Sequence, residues 1–334
     1  MERRLFLGGC CALALQSAAA AQQRARTHRI VVVHPSEPIE NIGETGPSPI
    51  YRALFSELRR LGYVEGQNLS IDRRSAGGRT DTFPEFCREL VALQPDLIIA
   101  TSRRLVQSLR QATETIPIVA STDDPISAGL IISLARPGRN LTGVSVDAGL
   151  EIVSKRLELL REALPGATSF AFLAPRLVWE QGSFSEDLQA AARQIGSSVV
   201  GATLSGRLDE QEYRRAFELM RKENIQGLLV GDFGEALTSA PLIIRLAVEH
   251  RVPAIYAFRL FTEAGGLMSY GVNLSESYRE LARQADRVLK GEYPGDVPYL
   301  RPTNFELVLN RQAAKSLGME LPPLLLARAD EVIE

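Results

Sequence analysis

Ile116-Pro117-Ile118-Val119 and Val252-Pro253-Ala254-Ile255 are two copies of one short apolar run, each with proline in second place. The surroundings repeat as well. Upstream, Leu61-Gly62 and Ile195-Gly196 each close a helical segment and are each followed by an apolar strand, Leu69 to Asp72 in one case and Val199 to Leu204 in the other. Further in, Leu97-Ile98-Ile99 answers Leu228-Leu229-Val230, and the opening strand Ile30-Val31-Val32-Val33 answers Phe170 to Leu173. Helical patterns fill the intervals, from about Asp81 to Leu93, Leu105 to Ala112 and Asp209 to Lys222. Strand and helix in alternation specify a parallel sheet covered on both faces. Recurrence of a five-element unit is a more specific signal than any single strand. The predicted fold is therefore α/β, with two Rossmann-like doubly wound parallel-sheet lobes joined by a multi-strand hinge.

Glycines at Pro137 to Thr142 and at Gly265-Gly266 to Gly271 mark expected crossings. A last helix from about Ser275 to Leu289, followed by Phe305 to Leu309, implies return to the first lobe and then to the second. The predicted division is residues 28–143 plus about 268–297 for one lobe, and 146–265 plus about 300–334 for the other.

The 334 residues are 45% hydrophobic and 23% charged, enough for two ordinary cores. With 38 basic and 40 acidic residues the net charge is -2, so no basic field exists to hold nucleic acid. Residues 1–22 have the three parts of a secretory signal: Arg3 and Arg4, the apolar run Leu5 to Leu15, then Ser17 to Ala21. Arg3-Arg4-Leu5-Phe6-Leu7 is similar to a twin-arginine signal, and both general and twin-arginine export are compatible with it. The apolar run before Cys10 and Cys11 is short for a lipoprotein anchor. The expected product is a periplasmic, non-membrane-spanning monomer with one cysteine, Cys87, acting as a small buried hydrophobe.

Doubly wound sheets bind ligands at the carboxyl ends of their strands. In the first lobe those positions hold His34, Ser36 and Glu37, then Thr101 and Ser102, then Thr122, Asp123 and Asp124. In the second they hold Arg176 and Trp179, then Asp232 and Phe233, then Tyr256, Phe258 and Arg259. Hydroxyls before a helix accept a carboxylate as readily as they serve as simple caps. Asp123 and Asp124 suit either an ammonium group or the turn at Pro125. Trp179 suits ligand stacking or plain packing, and Arg176 suits a ligand carboxylate or solvent.

No G-x-G-x-x-G follows the first strand, and no P-loop, G-x-S-x-G or H-E-x-x-H occurs. Three histidines and no cysteine cluster leave little material for a metal site or a His-based triad. A small-molecule ligand is expected, with no cofactor, no metal and no catalytic residue. The rival from another class is a hydrolase using Asp124 or Asp232 in the same cleft. A binding subunit that presents ligand to a sensor kinase is a third reading.

Several stretches resemble ABC-transporter substrate-binding proteins typified by tryptophan and tyrosine binders. The matching text includes Leu58-Arg59-Arg60-Leu61-Gly62-Tyr63-Val64-Glu65-Gly66-Gln67-Asn68, Ser133-Leu134-Ala135-Arg136-Pro137-Gly138 and Asn140-Leu141-Thr142-Gly143. It continues in Lys155-Arg156-Leu157-Glu158-Leu159-Leu160, Ala264-Gly265-Gly266-Leu267-Met268-Ser269-Tyr270-Gly271 and Leu326-Ala327-Arg328-Ala329-Asp330-Glu331-Val332-Ile333. The resemblance implies the type I periplasmic-binding-protein fold, capture of an amino acid or related carboxylate between the lobes, and delivery to a permease and an ATPase. The sequence departs from that pattern at Ser36 to Pro49 and at Arg103-Arg104, where small residues are expected.

Overall fold

Four consecutive β-branched residues, Ile30 to Val33, are wholly buried in β1 (His28–His34), the strand on which the first sheet is built. Burial of each contributes on the order of 2 kcal/mol, and both faces of the strand are covered. The computed structural model describes residues 27–146, 149–180, 182–302 and 304–334. The expected signal peptide at 1–22, with Arg3, Arg4, Cys10 and Cys11, lies outside the described residues.

The first sheet continues with β2 (Leu69–Ser75), β3 (Leu97–Thr101), β4 (Ile118–Thr122) and β5 (Leu141–Ser145), in the order β2-β1-β3-β4-β5. All its pairings are parallel, with Ile30 opposite Ile71 and Leu97. The second sheet contains β6 (Ser169–Pro175), β7 (Ser198–Leu204), β8 (Gly227–Val230), β9 (Ala254–Tyr256), β10 (Met268–Val272), β11 (Phe305–Asn310) and β12 (Glu331–Ile333). Its order is β12-β11-β10-β9-β8-β6-β7. Read from the other edge, β7-β6-β8-β9-β10 is the first sheet's order again. The duplication seen in the apolar runs is therefore a duplication of topology, and the doubly wound reading holds for both sheets.

One boundary differs from expectation. Residues 268–272, assigned from sequence to the first lobe, form β10 of the second sheet. Met268 pairs in parallel with Ile255 and antiparallel with Leu309. The return to the first lobe falls after Val272, where Asn273 caps the helix Leu274–Leu289 by accepting the Glu276 N–H at 3.1 Å. That helix packs on the helix Pro49–Arg60: Tyr278 meets Tyr51 edge to face at 5.5 Å, and Arg283 donates to the buried Glu57. The glycines read as hinges lie one step earlier: Gly138 before β5, Gly265 and Gly266 before β10, and Gly271 within it. The chain crosses a third time at Leu300, whose N–H donates to Gly143 O and whose carbonyl accepts from Ser145 N.

Gly143 and Gly271 are needed where they stand. A Cβ on Gly143 would lie 1.9 Å from Ala120 O, and one on Gly271 would lie 1.8 Å from Ala257 O. Each lets the last parallel strand of its unit close on its neighbour just before the chain leaves the lobe.

Candidate functional site

The carboxyl ends of β1, β3 and β4 face those of β6, β8 and β9. Between them lies a cavity of about 60 Å³, and beside it a chamber of about 430 Å³. Arg103, Asp123, Val178 and Asp232 line both. The chamber alone is within the size range of small-molecule sites.

His34 ends β1. Its Nδ1 accepts the N–H groups of Ser36 and Glu37 at 3.1 and 2.7 Å. Burial lowers its pKa to about 3, so the ring is neutral and carries its proton on Nε2. Ser102, at the start of the helix Arg103–Ala112, holds φ at 75° although it is not glycine. Such strain persists where surrounding structure imposes it, and in this fold it falls on the cleft wall.

Two arginine–aspartate pairs stand here, with Arg103, Asp123 and Asp232 on the wall shared by cavity and chamber and Arg156 beside Asp232 but lining neither. Arg103 and Asp123, both from the first lobe, form a close ion pair. Burial, opposed by Arg103 and reinforced by Asp232, raises the Asp123 carboxyl to about 7. From the second lobe, Arg156 lies with Nη1 3.8 Å from Asp232 Oδ2. Arg156 is 1% exposed and held by Nε donating to Tyr270 O at 2.7 Å. Asp123 Oδ1, Asp232 Oδ2 and Arg156 Nη1 are buried without a hydrogen-bond partner. Such atoms are costly unless something binds them.

Of the residues expected from sequence, Thr101, Ser102, Thr122, Asp123, Asp232, Phe233 and Phe258 line the cavity, and Asp124 lines the chamber. Thr122 Oγ1 is tied to Tyr299 Oη at 2.8 Å. The others stand elsewhere. Ser36 Oγ bonds Thr238 Oγ1 across the cleft at 2.8 Å, and the Glu37 carboxylate takes Asn41. Arg176 is exposed beside Glu180 on a separate groove with Arg79 and Arg207. Trp179 covers Gly201 and stacks on Phe172 in the second lobe's core. Tyr256 is buried against Phe261, ring centroids 4.7 Å apart.

Sequence reasoning missed Arg156, Glu235, Val146, Val178, Leu274 and Tyr278. Arg156 had a signal: it occupies the apolar stripe Ile152, Val153, Leu157, Leu160, Ala163 of the helix Leu150–Ala163. A charge inside such a stripe is buried and needs a partner. Among the described residues, no group of three or more His, Cys, Asp or Glu is placed to hold a metal ion, and no helix is long and apolar enough to cross a membrane.

Two lobes of one strand order around a charged cleft define a two-lobed solute-binding protein. The chain belongs to the ABC transporter substrate binding protein family, whose profile matches residues 44–333. It is 26% identical over 270 residues to a tyrosine-binding protein of Clostridioides difficile, covering 80% of this chain and 76% of that one. A conserved domain protein of Vibrio cholerae superposes with TM-score 0.81 at 26% identity, over 92% of this chain and all of that one. The ABC domain of Streptococcus pneumoniae in complex with L-Trp gives TM-score 0.79 at 23% identity over the same shares, a likeness of fold.

Proposed function

We propose that this protein is the exported, periplasmic component of an ABC importer and that it captures an α-amino acid or related carboxylate by closure of its lobes. One observation carries the reading: the unpartnered carboxylate oxygens Asp123 Oδ1 and Asp232 Oδ2, one from each lobe, on the wall shared by cavity and chamber. An ammonium satisfies the two carboxylates, one from each lobe. Because Asp123 and Asp232 belong to different lobes, a cation between them favours the closed form over the open one. The relative's name, a tyrosine-binding protein, supports the same solute class. Export rests on the N-terminal pattern, with delivery to a permease and an ATPase as the family implies. The protein acts by binding, as a monomer, without turnover.

Calorimetry and thermal melting of protein beginning after residue 22, against amino acids, amines and carboxylates, test the reading. A ligand at 100 times its Kd adds about 2.7 kcal/mol of stability. A tightly bound solute that leaves small-angle scattering unchanged refutes closure.

A further inference from the structure

Glu235 is left over when the zwitterion is accounted for. It begins the turn of helix Gly234–Thr238, three residues beyond Asp232, and lines the same cavity. It is 4% exposed, and its Oε1 is buried with no hydrogen-bond partner. Burial raises its carboxyl, while a hydrogen bond from its own backbone N–H and the charge of Arg104 act the other way. Thr101 of the first lobe, 6% exposed, lines the same cavity beside Tyr278, and its Oγ1 is likewise buried without a hydrogen-bond partner.

The neighbouring chamber differs. Its carboxylates outside the two arginine pairs are Asp124 and Asp187, and both are occupied. Asp124 accepts the N–H groups of Ile126 and Ser127 at 3.1 Å and the Ser127 hydroxyl, and Asp187 accepts the Ser183 hydroxyl. Phe172, Phe184 and Val153 supply apolar wall there. The unmet polar valences thus gather on the cavity side of the head-group site, at Glu235 and Thr101.

We propose that Glu235 is a specificity-determining residue: it accepts a hydrogen bond from a second donor on the solute, an O–H or N–H remote from the ammonium group, and so rejects the matching solute without that donor. The proposal rests on the cleft being the solute site. A site built to hydrogen-bond a hydroxyl penalises the analogue lacking it, because its own buried polar group is then left unpaired, whereas an apolar pocket discriminates weakly.

The test uses solute pairs differing in one hydroxyl: L-tyrosine with L-phenylalanine, tyramine with phenethylamine, and 4-hydroxybenzoate with benzoate. Calorimetry is done on the signal-free protein and its Glu235→Gln and Glu235→Leu variants. The wild type is expected to prefer the hydroxylated member of a binding pair by about 100-fold or more. Glu235→Gln, still an acceptor, keeps most of that preference. Glu235→Leu reduces it to below about fivefold, by weakening the hydroxylated solute and relieving the penalty on the one without the hydroxyl. Melting curves check that each variant folds, and Glu235→Ala replaces the leucine variant if that one does not.

If amino acids bind without preference for the hydroxyl, or the preference survives Glu235→Leu, the proposal is overturned and the amino-acid reading stands. If only the amine or benzoate pair binds, with a preference lost in Glu235→Leu, the amino-acid reading falls and Glu235 keeps its role. Binding by no pair overturns both.

Discussion

Arg156 Nη1 and Asp232 Oδ2 lie 3.8 Å apart, buried, and without a hydrogen bond between them. The gap is too long for a hydrogen bond and short enough for strong attraction. Arg156 is held from behind by Tyr270 O, and of the two only Asp232 lines the cavity and the chamber. Arg156→Ala removes the cation beside a carboxylate that is itself nearly buried. Expected is a loss of about 3–5 kcal/mol in stability and of amino-acid binding altogether. Arg156→Lys, which keeps the charge but not the planar fork, should melt closer to wild type and bind about tenfold or more weakly. Denaturant melts and calorimetry separate the two effects.

Asp123 gives a pH dependence with a definite sign. Its carboxyl is raised from the ordinary 3.8 to about 7, first by burial and then by Asp232. The folded protein therefore holds a proton that the unfolded chain releases, and this contribution to stability is full below about 4 and lost as pH rises through about 7. Without ligand, melting temperature should fall over that window, and Asp123→Asn should flatten it. An ammonium ligand needs the ionised form, so its affinity should rise up to tenfold per pH unit below about 7 with release of one proton. Calorimetry in buffers of different ionisation enthalpy counts that proton.

The turn that carries Glu235 touches the first lobe. A Cβ on Gly234 would lie 3.3 Å from Pro35 Cγ and 3.4 Å from Ser102 Cβ, both in the first lobe, and Ser36 meets Thr238 nearby. Gly234→Leu should hold the lobes apart, weakening binding and enlarging the radius of gyration with little change in melting. Ser36→Ala and Thr238→Val should each speed ligand release. In a double-mutant cycle they should couple by about 0.5–1.5 kcal/mol.

Gly143→Ala and Gly271→Ala should each cost about 3 kcal/mol or more, because the added carbon meets a backbone carbonyl that cannot turn away. Gly43, where a Cβ has nothing within 4 Å, is the control and should tolerate alanine. Urea unfolding compares all three.

The architecture was legible because parallel strands buried on both faces must be nearly all apolar, and two such sets in one order stand out. The boundary at residue 268 was misplaced because a glycine-rich approach to a strand looks like a linker until β11 is seen pairing with β10. At the site, residues directly after apolar strands come to the cleft because strand ends do: Thr101, Ser102, Asp123 and Asp232 all line it. Trp179 and Tyr256 failed for one physical reason. A large ring near a strand end buries more area against its own lobe, over Gly201 or against Phe261, than it would facing the cleft. Arg156 lies far along a helix, where position relative to strand ends says nothing and only its place in an apolar stripe speaks.

Cys87 carries a practical consequence. It is 0% exposed, and burial pushes its thiol up to about 12. At neutral pH it neither ionises nor meets a reagent, so a maleimide dye would pass it by. Cysteine introduced at the exposed Leu177, which overlooks the groove at the edge of the two lobes, would take that dye alone. With Cys10 and Cys11 lost from protein begun after residue 22, the chain becomes a one-label optical sensor whose signal follows the solute in real time.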